Sequence, residues 1–202
     1  MGKLRTLSGS DVPELDRTVE LTDGTILIRR CELADAQRVY EAVRESIAEV
    51  SPWAPWCRPE YSIEDARTWL ASLPEAWAKG TDYDFAVVDP HDGSWLGGCG
   101  LNQFNRVHQF ANLGYWTRTS RTGCGIATAA ARLLARFGFE ALNLKRIEIV
   151  AAVGNKASQR VAEKAGATRE GVLRSRHVVR DRLYDAVMYS LLPEDIVQPE
   201  DT

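Results

Sequence analysis

Long apolar runs are missing from this chain of 202 residues. No stretch approaches the roughly 20 apolar residues that a transmembrane helix needs, and Met1-Gly2-Lys3-Leu4-Arg5 leads into no apolar segment of the signal-peptide kind. A cytoplasmic protein without a membrane partner is the expectation. Cysteine is scarce: Cys31, Cys57, Cys99 and Cys124 lie far apart, with no Cys-x-x-Cys pair and no histidine at metal-ligand spacing. That spacing indicates neither a disulfide framework nor a metal site, so the four read as reduced thiols filling apolar space. A surplus of charge is absent too. The 25 Lys and Arg against 28 Asp and Glu leave a net charge of -3, which offers no electrostatic reason to bind nucleic acid and would suit a cationic amine.

What is present belongs to an ordinary globular chain, 45% apolar and 26% charged. No repeat, low-complexity tract or linker divides it, so a single domain is expected over residues 18–192. A flexible segment, residues 1–17, precedes it, and an acidic tail, residues 193–202, follows.

The first half predicts a hairpin turning at Thr22-Asp23-Gly24, because Asp-Gly accepts the positive φ of a tight turn. A helix follows over about 33–50, its buried face marked by Ala36, Val39, Tyr40, Val43, Ile47 and Val50. Pro52 and Pro55 force a break. Ser62 caps a second helix with the stripe Ala66, Trp69, Leu70, Leu73 and Trp77, where Pro74 is a candidate kink. Strands are predicted around Phe85–Val88, Trp95–Phe104 and Ala111–Thr117, then a helix over 125–142. Ile147–Val153 reads as a strand buried on both faces. A short helix from Lys156 to a C-cap at Gly166 and two final strands complete an α/β order, antiparallel first and with helical crossovers later.

The most informative segment runs from Tyr115 through Arg121-Thr122-Gly123-Cys124-Gly125-Ile126-Ala127-Thr128. A strand, a glycine-rich turn and a helix start can aim successive N–H groups, and the positive end of the helix dipole, at one phosphate. Gly-x-Gly also occurs in ordinary tight turns. No Gly-Lys-Ser/Thr closes it as in a P-loop, and it lies too late in the sheet for a dinucleotide fold.

Asn112-Leu113-Gly114-Tyr115-Trp116 followed by Gly123-Cys124-Gly125-Ile126-Ala127 resembles the acyl-CoA-binding motif of the GNAT acetyltransferases. Val153-Gly154-Asn155-Lys156-Ala157-Ser158, Gly166-Ala167 and Glu170-Gly171-Val172-Leu173-Arg174 resemble the RimJ/RimL branch of that superfamily. Trp53, Trp56 and Tyr189-Ser190-Leu191-Leu192 fit as well, so the likeness spans about 18–192. Thr122 departs from it, standing where Gln or Arg is frequent. The resemblance implies an acyl-CoA N-acyltransferase fold, a mixed twisted sheet with helices on both faces, and direct transfer from acetyl-CoA without a metal. It places the pantetheine arm between strands splayed near Trp116 and Thr117, and makes Asn155 a cofactor contact. It also makes a homodimer an expectation.

Transfer to an amine needs a neutral nucleophile, a polarised carbonyl and a proton for the departing thiolate. Ser158, one turn beyond Asn155, occupies the position that RimL-like enzymes give to a general acid. Without the resemblance it is a first-turn serine, and Asn155 a helix cap. His177 maps to the strand position where such proteins carry a carboxylate base, and an imidazole titrates in the useful range. It is otherwise a surface histidine. Glu170 and a water relay are the other candidates for base. Trp53, Trp56, Asn102 and Tyr115 are candidates to line the acceptor pocket, though aromatics at such spacing often serve a core. Arg174, Arg176 and Arg180 read as a solvated face. The acceptor could be a protein N-terminal amine, a lysine or a small amine such as a polyamine or aminoglycoside. A non-catalytic acyl-CoA sensor, or a transferase using succinyl-CoA, would share the same loop.

Overall fold

The computed structural model describes residues 19–196. The expected segment 1–17 lies outside them, as does most of the expected tail. Eight strands form one sheet in the order β1-β2-β3-β4-β5-β6-β8-β7. They are β1 (Glu20–Thr22), β2 (Leu27–Arg30), β3 (Tyr83–Val88), β4 (Trp95–Asn105), β5 (Phe110–Thr117), β6 (Arg146–Ala152), β7 (Thr168–Val179) and β8 (Arg182–Leu191). All neighbours are antiparallel except β5 and β6. A single helical crossover, α4 (Ile126–Glu140), joins that parallel pair. The mixed α/β fold is as expected.

Local chemistry explains most boundaries. Asp23 Oδ1 accepts from the N–H groups of Thr25 (2.9 Å) and Ile26 (3.1 Å), while Gly24 takes a φ of 86°. Helix α3 (Ile63–Lys79) opens on a reciprocal cap: Asp65 N donates to Ser62 Oγ (3.2 Å) and Ser62 N to Asp65 Oδ2 (2.8 Å). Such a cap contributes about 1 kcal/mol. The helix runs through Pro74 and stops at left-handed Gly80. Helix α5 (Lys156–Ala165) opens where Asn155 Oδ1 accepts from Ser158 N (3.1 Å) and closes at Gly166, φ 101°.

Two expectations need correction. The helix predicted over 33–50 is a 3-10 turn, then α1 (Ala36–Glu45), then the short α2 (Ile47–Val50). It breaks at Ser46, whose N–H tightens to Val43 O (2.9 Å) while its buried hydroxyl donates to Ala42 O (2.7 Å). Strand β6 is not buried on both faces. Ile147, Ile149 and Ala151 are buried, whereas Arg146, Glu148 and Val150 are half-buried, because Val150 borders a cleft and Glu148 accepts from Arg146.

The core gathers around α4. Phe137 meets Phe85 and Tyr83 of β3 edge-on, at 5.2 and 6.0 Å between ring centroids, with Trp77 of α3 beside them. Gly138 lets α4 sit down on the sheet, since a Cβ there would come within 2.8 Å of Ile147 and 3.1 Å of Leu101. The opposite face of β3, β4 and β5 carries Asp84, Gly98, Gly100, Asn102, Asn112, Gly114 and Trp116, by strand alternation and register. That face has few side chains to fill space.

Candidate active site

Strands β5 and β6 pair only where Phe110, Ala111 and Asn112 face Arg146, Ile147 and Glu148. Beyond that point they part. Residues 113–117 stay with β4 and residues 149–152 with β8, so both flanks remain hydrogen-bonded while the gap opens. The gap belongs to a cleft of about 1260 Å³, large enough for an extended cofactor. The splay was expected near Trp116 and Thr117; it begins three residues earlier, at Leu113.

At one end lies the glycine turn. Gly123 and Gly125 hold φ of 79° and 81°, a region that penalises side chains. The first bond into α4 runs from Ala129 N to Gly125 O (3.0 Å), which leaves the preceding N–H groups pointing out of the helix start. The turn is braced from α1. Arg118 Nε and Ser120 N donate to the Glu45 carboxylate (2.5 and 2.7 Å), and Thr119 N donates to Ser46 Oγ (3.0 Å). Thr119 Oγ1 also donates to Glu49 (2.9 Å). The kink at Ser46 therefore turns a hydroxyl toward the loop.

Trp116, Thr117, Arg121, Thr122, Gly123, Gly125, Ile126, Ala127, Thr128, Asn155 and Ser158 all border the cleft, as do Trp53, Trp56, Asn102, Tyr115 and His177. Thr117 Oγ1 is buried and, among the described residues, has no hydrogen-bond partner. Two predicted residues fall elsewhere. Cys124 is exposed and borders a separate depression, so its side chain contributes nothing to the cleft wall. Glu170 takes a bidentate ion pair from Arg146, 2.6 Å on each oxygen, and a hydrogen bond from Ser190 Oγ (2.8 Å). The Arg146 guanidinium holds its carboxyl below the usual range against the opposing effect of burial, with Ser190 adding a smaller pull the same way. A carboxylate so engaged and outside the cleft is a poor base.

Ser158 has a defined partner. The Tyr115 hydroxyl donates to Ser158 O (2.8 Å), which uses its only hydrogen, so the contact of 3.1 Å with Ser158 Oγ has the serine donating. Burial pushes the Tyr115 hydroxyl up to about 12, keeping it neutral. Tyr115 thus orients Ser158. Asn102 accepts from Asn112 Nδ2 (3.0 Å) across β4 and β5.

His177 is placed by its Nε2, which donates to Trp53 O at 2.9 Å. The Trp53–Trp56 segment is tied down further. Trp53 packs edge-on to Tyr184 (6.5 Å) and against Gly154, Trp56 edge-on to Trp116 (5.5 Å), and Arg180 donates to Cys57 O (3.2 Å). Arg174, Arg176 and Arg180 are exposed, as expected.

Sequence reading missed three features. Arg160 and Lys164, one turn apart on α5, border the cleft together with Arg121 and bring positive charge to its wall. Their helical spacing was the available signal. Asp84 also borders it; a single carboxylate within the apolar strand Tyr83–Val88 was the clue. The braces Glu45, Ser46 and Glu49 carried no signal at all.

A model of the acetyltransferase (GNAT) domain matches residues 25–168. YdaF of Bacillus subtilis (strain 168), provisionally named a ribosomal N-acetyltransferase, is 33% identical over 171 residues, covering 84% of this chain and 92% of that protein. A solved structure from Vibrio cholerae, provisionally a ribosomal-protein-serine acetyltransferase, superposes with a TM-score of 0.79 at 25% identity, over 89% of this chain and all of that one. RimL, a ribosomal L7/L12 alpha-N-protein acetyltransferase solved in complex with coenzyme A, shares the fold with a TM-score of 0.76 at 20% identity, over 86% and 96% of the two chains. The chain belongs to the GNAT acetyltransferases, in their RimJ/RimL-like branch, and is an N-acetyltransferase that uses acetyl-CoA as its acyl donor.

Proposed function

We propose that this N-acetyltransferase modifies a primary amine presented at the Trp53–Trp56 end of the cleft, a protein N-terminal α-amine ahead of a small amine such as a polyamine. One observation carries the reading: a single cleft joins the glycine turn, the gap between β5 and β6, and the Ser158 hydroxyl. The relatives named as ribosomal N-acetyltransferases support the α-amine.

Bound acetyl-CoA supplies the acyl group and leaves as the free thiol. The N–H groups of residues 123–128 and the side chains of Arg121, Arg160 and Lys164 would hold its phosphates, with the helix dipole adding to the attraction. Glycine at 123 and 125 permits the turn itself. Asn155 shapes the start of α5 and so sets where Ser158 stands. Ser158 turns its proton from the Tyr115 oxygen to the departing thiolate, with Tyr115 holding Oγ in place. His177 serves by holding Trp53, and with Nε2 committed to a carbonyl only Nδ1 of the neutral ring retains a lone pair.

Free-thiol release from acetyl-CoA, measured with N-terminal peptides, polyamines and aminoglycosides and with Ser158→Ala as control, tests this. Release that depends on the acceptor and is lost in the variant is the expected result. Saturable acetyl-CoA binding with no release for any amine would refute the acceptor class.

A further inference from the structure

Asp84, Gly100 and Gly114 stand side by side on β3, β4 and β5, in register and on one face of the sheet. The Asp84 carboxylate lies down over β4: a Cβ on Gly100 would come within 2.1 Å of its Oδ1. It therefore extends from β3 toward the parting strands, along a floor without side chains. Above Gly114 the space is open, with nothing within 4 Å of where a Cβ would be. Both glycines and Asp84 border the cleft, so the carboxylate is reached from it. Glycine at these positions matters for approach, because any side chain would fill the channel between Asp84 and β5.

The surroundings of Asp84 are short of positive charge. Burial pushes its carboxyl up to about 6, the neighbouring Asp82 pushes the same way, and only the Trp69 side chain pulls back. The thiol of Cys31, on the β2 side, is raised by burial and hence neutral, as is that of Cys99, which points from β4 to the opposite face. Among the described residues Asp84 makes no ion pair with lysine or arginine. A desolvated carboxylate of this kind draws a cation that can form hydrogen bonds. Of the cations bordering the cleft, Arg121, Arg160 and Lys164 stand at the turn and on α5 and Arg58 is paired with Asp65, while Asp84 lies on the glycine floor.

Resting on the proposed transfer to an amine, we propose that Asp84 receives the acceptor's ammonium group over Gly114 and takes the proton the amine must lose. The step is balanced: R–NH3+ and the Asp84 carboxylate become R–NH2 and the carboxylic acid, and the freed lone pair attacks the acyl carbon. The thiolate leaves with the proton of Ser158, Ser158 regains one from the second N–H proton that the forming amide sheds, and the proton on Asp84 returns to solvent. An acceptor that is cationic at working pH is the class this selects.

The test compares wild type with Asp84→Asn, which keeps the shape, in acetyl-CoA thiol release from pH 5 to 9. Acetyl-CoA binding is measured alongside as a control for the fold. With alkylamines and N-terminal peptides, kcat/KM should fall about 100-fold or more, and the acidic limb of the wild-type profile near pH 6 should vanish. With methoxyamine, already neutral at pH 7, the loss should be under about tenfold. Acetyl-CoA binding should be unchanged. Equal rates for variant and wild type would overturn the assignment, as would equal losses for alkylamine and methoxyamine or a loss of acetyl-CoA binding. A wild type that transfers to no amine would sink the parent reading with it, whereas transfer retained in Asp84→Asn sinks only the role of Asp84.

Discussion

The hydroxyls of Tyr115 and Ser158 meet at 3.1 Å, and the tyrosine is fixed there because it also donates to the serine's own main-chain oxygen at 2.8 Å. Strand β5 and helix α5 are thus joined at the point where a proton is needed. Ser158→Ala should lower kcat by about 100-fold or more, with little change in acetyl-CoA affinity. Tyr115→Phe should lower kcat by about tenfold, since it removes direction and not the proton itself. The double variant should be no worse than Ser158→Ala alone, because the two hydroxyls act as a unit. Steady-state kinetics of the three proteins, with losses that multiply, would argue against the coupling.

The glycine turn supports a second expectation. Alanine at 125 must adopt a φ near 81°, at a cost of about 1–2 kcal/mol. Gly125→Ala should therefore weaken acetyl-CoA binding about tenfold or more and leave kcat at saturation less affected. Arg160→Ala with Lys164→Ala should weaken it too, and should reduce the salt dependence of binding. Titration calorimetry at two ionic strengths measures both.

Stability as a function of pH tests Asp84 from another side. Folding moves its carboxyl from the ordinary 3.8 to about 6. The native state prefers the protonated form, so this contribution is full below about pH 4 and is lost as pH rises through 6. Above that it costs about 3 kcal/mol. Asp84→Asn should be more stable than wild type at pH 8, by up to about that amount, with a smaller gap at pH 5. Urea denaturation at the two pH values decides it. A gain in stability together with a loss of activity marks a functional residue held at a cost.

Arg29 and Asp35 carry the opposite sign. Burial, the largest single influence, would raise the Asp35 carboxyl, but two hydrogen bonds from the Arg29 guanidinium, at 2.7 and 2.8 Å, one from the Glu32 N–H (2.9 Å) and the charges of Arg29 and Arg38 together outweigh it and hold the group low. Its contribution is present above the ordinary carboxylate value and is lost as pH falls through the lower folded one. Arg29→Met leaves the carboxylate buried and should cost about 3–5 kcal/mol at pH 7. Thermal unfolding should show this loss shrinking in acid.

Sequence reading succeeded where the physics is local. Asp23-Gly24, Ser62 with Asp65, Asn155 and Gly166 mark boundaries because a cap or a positive φ is satisfied within four residues of chain. The helix stripes and the order of elements followed from periodicity, and the glycine turn at Gly123–Gly125 was legible between strand and helix. The break at Ser46 within the helix expected over 33–50 was missed, because its hydroxyl answers to Thr119, which lies 73 residues away.

The sequence by itself determined the elements, their order and the glycine turn, since each depends on short-range geometry. Only the tertiary structure decided which candidates meet: it took Glu170 out to Arg146, turned Cys124 away, and tied His177 to Trp53. It also set Asp84 beside Gly100 and Gly114, through the pairing register of three strands. Register depends on contacts between distant segments, and no pattern along one strand reveals what lies across from it.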